Sequence, residues 1–119
     1  MSSAGREVSE MEPRQIVSRF FDCLDRGELE PLIELFAQDA VLVDEKGRRL
    51  EGRERIREYF QAPAWRFWNL HVSHSDNPVI ADFTWRMPDQ EQRVKVHESF
   101  FVEGGKIKSV EMKEIARAA

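Results

Sequence analysis

The stretch Arg93–Met112, RVKVHESFFVEGGKIKSVEM, reads as two strands folded about a glycine pair. Val94, Val96, Phe100 and Val102 recur at every second position, with Arg93, Lys95, His97 and Ser99 between them. A strand sends alternate side chains to opposite faces, so this run has one apolar and one polar side. Gly104-Gly105 is a strong hairpin turn, and Lys106–Ile115 returns as the last strand. One residue breaks the alternation. Glu98 occupies the apolar side, between Val96 and Phe100. An ionised carboxylate buried without a partner is very costly, so a group held there either pairs or keeps its proton. Three readings stay open: Glu98 lines a pocket, it forms a structural ion pair with a helix arginine, or a bulge turns it outward.

Upstream of this hairpin the chain continues to read as strand. Arg66–Ser75 places Trp68, Leu70 and Val72 on one face and Phe67, Asn69 and His71 on the other. Val79–Met87 opposes Ala81, Phe83, Trp85 and Met87 to Asp82, Thr84 and Arg86. Asp76-Asn77-Pro78 and Pro88-Asp89-Gln90 are the turns between them. The first half is mostly helical. Pro13 opens a helix whose apolar stripe is Ile16, Val17, Phe20, Cys23 and Leu24, and Gly27 ends it. A second helix buries Leu29, Leu32, Ile33 and Phe36. Ala40–Asp44 is a short buried strand, Gly47 turns it into Arg48–Glu51, and Arg53–Gln61 is a third helix with Ile56, Tyr59 and Phe60 on its apolar side, stopped by Pro63. Strands and helices do not alternate, which argues against a parallel doubly wound fold and for an α+β fold.

The 119 residues carry a net charge of −4 and are 41% hydrophobic and 34% charged, which suits one domain with a single core. We place a disordered tail over residues 1–12 and the domain over 13–119. The acidic balance argues against nucleic-acid binding. No apolar run reaches membrane-spanning length. Cys23 is the only cysteine, so no internal disulfide forms, a reducing cytoplasm is the default setting, and the thiol reads as core packing. His71, His74 and His97 are scattered over strands and faces without paired spacing, which argues against a metal, and no cofactor motif is present. Arg14, Arg48, Arg49, Arg53, Arg55 and Arg57 alternate with Glu51, Glu54 and Glu58, as on a solvated helix face with ion pairs.

Three local motifs carry a family resemblance. They are RFFDCLDRGEL (residues 19–29) running into LFAQDA (35–40), GRERIREYF (52–60), and FFVEGGKI (100–107). Together they resemble the SnoaL-like, ketosteroid-isomerase-like branch of the NTF2-like superfamily over nearly the whole chain after the tail. The resemblance implies an NTF2-like (cystatin-like) cone, a curved mixed or antiparallel sheet wrapped around three N-terminal helices, with a mouth leading to an apolar pocket. The superfamily hosts isomerases, cyclases, hydratases, epoxide hydrolases and non-catalytic binders.

The isomerase branch further implies a proton-shuttling carboxylate at the end of the first strand, which Asp44 matches. It also implies a protonated carboxylic acid on a later strand that donates to an enolate oxygen, which Glu98 matches as a glutamate in place of an aspartate. The family's tyrosine on the first helix corresponds to Phe20, and a supporting tyrosine on the third helix to Phe60; Tyr59, the chain's single tyrosine, is one position away. Losing one oxyanion donor costs about 3 kcal/mol of transition-state stabilisation. From residue type alone Asp44 also reads as a plain turn residue in Asp44-Glu45-Lys46-Gly47. The resulting expectation is a domain that binds an apolar small molecule, with proton transfer next to a carbonyl through Asp44 as base and Glu98 as neutral donor. Phe20, Tyr59, Phe60, Trp68, Phe83, Trp85, Phe100, Val110 and Met112 would form its walls. The alternative is a non-catalytic binding or dimerisation module. Either form is expected to be a homodimer through the outer sheet face, with Phe67, His71 and Phe101.

Overall fold

The computed structural model describes residues 12–61, 66–73, 77–86 and 93–117. The tail before Glu12, Pro63, Trp65, His74, Asp76, Met87 and the turn Pro88–Gln90 lie outside the described residues. Helix α1 spans Pro13–Arg26 and buries Ile16, Val17, Phe20, Phe21, Cys23 and Leu24. It ends where its stripe predicts. Gly27 takes a left-handed conformation at φ 71°, and the amide of Glu28 returns to the carbonyl of Cys23 at 2.9 Å. A residue without a Cβ enters that conformation at no steric cost.

Helix α2, Leu29–Glu34, is shorter than its apolar spacing suggests. Phe36 does not complete its stripe; it opens strand β1, Phe36–Val43. The reason is long-range. The carbonyls at the end of α2 find partners from elsewhere in the chain: Arg53 Nε donates to Phe36 O at 2.9 Å, Lys106 Nζ to Glu34 O at 2.8 Å, and the Ile107 amide to Leu35 O at 2.8 Å. The helix therefore has no need of a further turn to satisfy them. Strand β2 is Arg49–Glu51, helix α3 is Arg53–Phe60, and strands β3 to β6 are Arg66–Val72, Val79–Arg86, Val94–Glu103 and Lys106–Arg117.

The six strands form one open sheet in the order β2-β1-β6-β5-β4-β3. Among the described residues only β1 and β6 run parallel; the other neighbours are antiparallel. The sheet is thus mixed, and it wraps the helices as an α+β cone. On its inner face lie Ala81, Phe83 and Trp85 of β4 and Val94, Val96, Glu98, Phe100 and Val102 of β5, all buried. The alternation read from these two strands holds at every one of these positions.

Strand β3 departs from its simple alternation. Phe67 pairs with Trp85 and Trp68 with Thr84, but His71 then pairs with Asp82 and Val72 with Ala81. One extra residue is inserted, and Asn69 stands there at φ 55°. Asparagine tolerates that conformation better than other residues with a side chain, and a bulge swaps the faces on either side of it. Phe67 therefore points inward, where its ring meets Phe21 at 5.5 Å and Phe83 at 6.2 Å. Trp68, expected on the inner wall, is 36% exposed and lies beneath the guanidinium of Arg93. Leu70 is exposed as well, and only Val72 of the three packs on the core.

Phe20 is the centre of the packing between α1 and the sheet. Its ring meets those of Phe21, Phe36, Phe60 and Phe100 edge-on, at centroid distances of 5.0 to 6.0 Å. Edge-to-face pairs of this kind add about 1 kcal/mol each beyond the area they bury.

Candidate functional site

Glu98 sits mid-strand on β5, between Ala81 of β4 and Met112 of β6. It is 1% exposed, and neither carboxyl oxygen has a hydrogen-bond partner. The ion-pair reading and the outward-bulge reading therefore both fail for this residue. Burial pushes its carboxyl up to about 8, well above the ordinary glutamate value of 4.5. At neutral pH the side chain holds its proton, because the charged form would have no solvation and no counter-charge. A neutral buried acid is a hydrogen-bond donor waiting for an acceptor.

Asp44 follows the last residue of β1 and is also buried. Its environment is the opposite of that of Glu98. Oδ1 accepts from the amides of Lys46 at 2.9 Å and Arg48 at 2.8 Å, and Oδ2 accepts from Arg48 Nε at 2.7 Å. The carboxylate closes the β1–β2 turn around itself. Both readings of Asp44 meet here: it is a turn residue, and it stands at the end of the first strand.

Tyr59 on α3 links the two regions. Its hydroxyl donates to Glu45 Oε1 at 3.0 Å and lies 3.6 Å from Met112 Sδ. Met112 is the cross-strand neighbour of Glu98, so the phenol reaches the inner face beside the buried acid. Burial first, then Glu45, and more weakly Glu98 and Asp44 hold the phenol far above its ordinary range. One phenol thus feels three acidic side chains. Tyr59, Glu98 and Met112 are brought together, with Val110 and Phe100 buried and paired on the neighbouring strands.

The remaining wall residues are packed into the core. Phe20, Phe60 and Phe100 belong to the ring cluster described above, and Phe83 meets Trp85 at 5.7 Å. Trp68 is on the other face and is removed from this group. Cys23 is buried and its thiol is raised by that burial, which makes it a poor nucleophile. His71 is exposed, and His97 pairs with Asp82 through Nδ1 at 2.8 Å; both are on the outer face. Among the described residues no group of three His, Cys, Asp or Glu side chains is placed to hold a metal ion, and no helix is long and apolar enough to cross a membrane.

Comparison with known proteins adds the family. The model of the SnoaL-like domain matches residues 17–110, most of the chain. The chain belongs to the SnoaL-like domain family. Among solved structures, this SnoaL-like chain is similar to a candidate ketosteroid isomerase from Kribbella flavida, at 16% identity over 90% of this chain and 80% of that one, with a TM-score of 0.77. It is similar to a candidate polyketide cyclase from Sinorhizobium meliloti, at 24% identity over 83% and 94%, with a TM-score of 0.74. An NTF2-like protein of unknown function from Cytophaga hutchinsonii matches at 15% identity over 89% and 92%, with a TM-score of 0.78. At these identities the likeness shows the NTF2-like fold. No curated protein matches the chain.

Two residues bonded to Tyr59 and Asp44 are not singled out by the sequence. Glu45 drew attention only as part of a turn, and its bond to Tyr59 spans fourteen positions. Arg48 fits a basic cluster in the sequence, and its bond to Asp44 is set by the β1–β2 turn between them.

Proposed function

We propose that this SnoaL-like domain binds an apolar small molecule bearing a carbonyl and transfers a proton at the carbon beside it, as an isomerase or cyclase does. The observation that carries this reading is Glu98: an enclosed carboxyl with two unpartnered oxygens and a raised affinity for its proton. A native fold retains such an uncompensated group at a cost, and a bound acceptor would repay part of it. Glu98 donates to the carbonyl oxygen and stabilises the charge that develops there. Asp44 is the base. Arg48, which donates to its Oδ2 at 2.7 Å, is 64% exposed, and moving it into solvent would uncover that oxygen. The similarity of the fold to a candidate ketosteroid isomerase and a candidate polyketide cyclase supports the reaction class.

The test is hydrogen–deuterium exchange at the methyl group of 2-acetylnaphthalene in D₂O, followed by NMR. Acceleration over buffer is expected, lost in Asp44→Asn and reduced about a hundredfold in Glu98→Leu. Exchange no faster than buffer contradicts catalysis. The three donors on Asp44 and the rings at Phe20 and Phe60 favour a second reading, a binder without chemistry. It predicts ligand binding with no exchange.

We also assign the outer sheet face to a second copy of the chain. Phe101 is 43% exposed and Ile115 59%, and Ile115 lines a groove of about 340 Å³ with Asn69, His71, Asp82, Thr84 and Lys95. Sedimentation of Phe101→Lys against the parent protein reads this assignment: a dimer that becomes a monomer is expected, and a monomeric parent contradicts it.

A further inference from the structure

Tyr59 has one hydroxyl proton, and Glu45 Oε1 takes it at 3.0 Å. A competing acceptor, the thioether of Met112 at 3.6 Å, is weaker and farther. A carboxylate accepts more strongly than a neutral oxygen or sulfur, so the phenol stays turned toward the β1–β2 turn. The same hydroxyl lies beside the cross-strand neighbour of Glu98. We propose that Glu45 is a positioning residue: by holding the Tyr59 proton it sets the Glu98 site to meet a ligand oxygen without a donor from Tyr59. Glu45 therefore determines specificity. With it, the ligand oxygen meets one donor, Glu98; without it, Tyr59 turns inward and the site offers a second donor to the same oxygen.

This inference rests on the small-molecule reading above. Its test uses a pair of probes of similar shape, 2-acetylnaphthalene and 2-ethylnaphthalene, the second lacking the oxygen. The readout is the ratio of their dissociation constants, which a loss of stability alone does not move. In the parent protein the ketone binds more tightly, and Glu98→Leu brings the ratio near one. Tyr59→Phe shifts the dissociation constants of both probes alike, because the ring is part of the wall, and leaves their ratio near the parent value, because the hydroxyl proton is committed to Glu45. Glu45→Ala raises the preference for the ketone about tenfold, the worth of one added hydrogen bond. The double variant Glu45→Ala/Tyr59→Phe returns it to the parent value.

A ratio unchanged in Glu45→Ala, or one that falls in Tyr59→Phe alone, overturns the role of Glu45 and leaves the Glu98 site standing. Failure of both probes to bind the parent protein, or a ratio near one that Glu98→Leu does not alter, overturns the site itself and this inference with it. The chain has a single tyrosine, so a ¹³Cζ tyrosine label gives one resonance. Its chemical shift at neutral pH should change in Glu45→Ala as the bond to the carboxylate is lost; an unmoved resonance contradicts the Glu45–Tyr59 link without any ligand.

Discussion

Glu98 and Met112 face each other across the β5–β6 pair, and the Tyr59 hydroxyl rests against the methionine sulfur. This one relationship joins the last helix to the middle of the sheet. It also places a neutral acid, a soft thioether and a phenol side by side in the interior of the cone. The acid is the costly member of the group.

Glu98 lowers the stability of the fold as pH rises. Its carboxyl sits at about 8 in the folded chain against 4.5 ordinarily. Between those values the folded chain holds a proton that the unfolded chain has released. Stability therefore falls with rising pH across that window, and the full cost, up to about 5 kcal/mol, is present above it. Glu98→Gln removes the titration and keeps the shape. Urea unfolding at pH 5, 7 and 9 should show the variant gaining on the parent as pH increases. Parallel pH profiles would contradict the buried acid.

Asp44 stabilises its turn whether or not it reacts. Asp44→Ala leaves the amides of Lys46 and Arg48 and the Arg48 guanidinium without their acceptor. A loss of about 2 kcal/mol is expected. Asp44→Asn keeps one oxygen for the two amides and should lose about half of that, so its effect on proton exchange can be read on a folded protein.

The bulge in β3 reverses the expected effects of two neighbouring aromatic substitutions. Phe67→Ala removes a ring packed on Phe21 and Phe83 and should cost about 2 to 3 kcal/mol. Trp68→Ala removes a ring that lies on the outer face under Arg93 and should cost under about 1 kcal/mol. Thermal or urea denaturation compares them, and equal or inverted losses would place the bulge elsewhere.

These two positions also mark where the sequence stops being legible. Strands β4 and β5 declare their faces because each buries one side only, and their patterns extend unbroken from Val79 to Trp85 and from Val94 to Val102. The face of Trp68 depends instead on one residue, Asn69, adopting φ 55° opposite a partner strand, which alternation does not encode. Phe36 fits a helical stripe equally well until Arg53, seventeen residues away, takes its carbonyl. Glu98 was visible because it breaks a regular pattern. Asp44 was visible as two things at once, and its turn bonds are local enough to have been foreseen. Glu45 was not, since its partner Tyr59 comes from another element.

Phe20 stands where four other rings converge, and Phe20→Ala should cost about 4 kcal/mol. Phe20→Tyr tests a different matter: a hydroxyl added to a residue that is 1% exposed must find an acceptor or lose stability. A Tyr variant as stable as the parent would reveal room and a polar partner beside the Phe20 ring; a loss of about 1 to 3 kcal/mol is expected.

The most direct measurement is the titration of the Glu98 side-chain carboxyl, followed by ¹³C NMR of the folded protein with the Glu98→Gln variant used to assign the resonance. A midpoint near 8 is expected, with the proton still held at neutral pH. A midpoint at or below the ordinary 4.5 would mean a solvated or paired carboxylate and would contradict both the buried donor and the chemistry built on it.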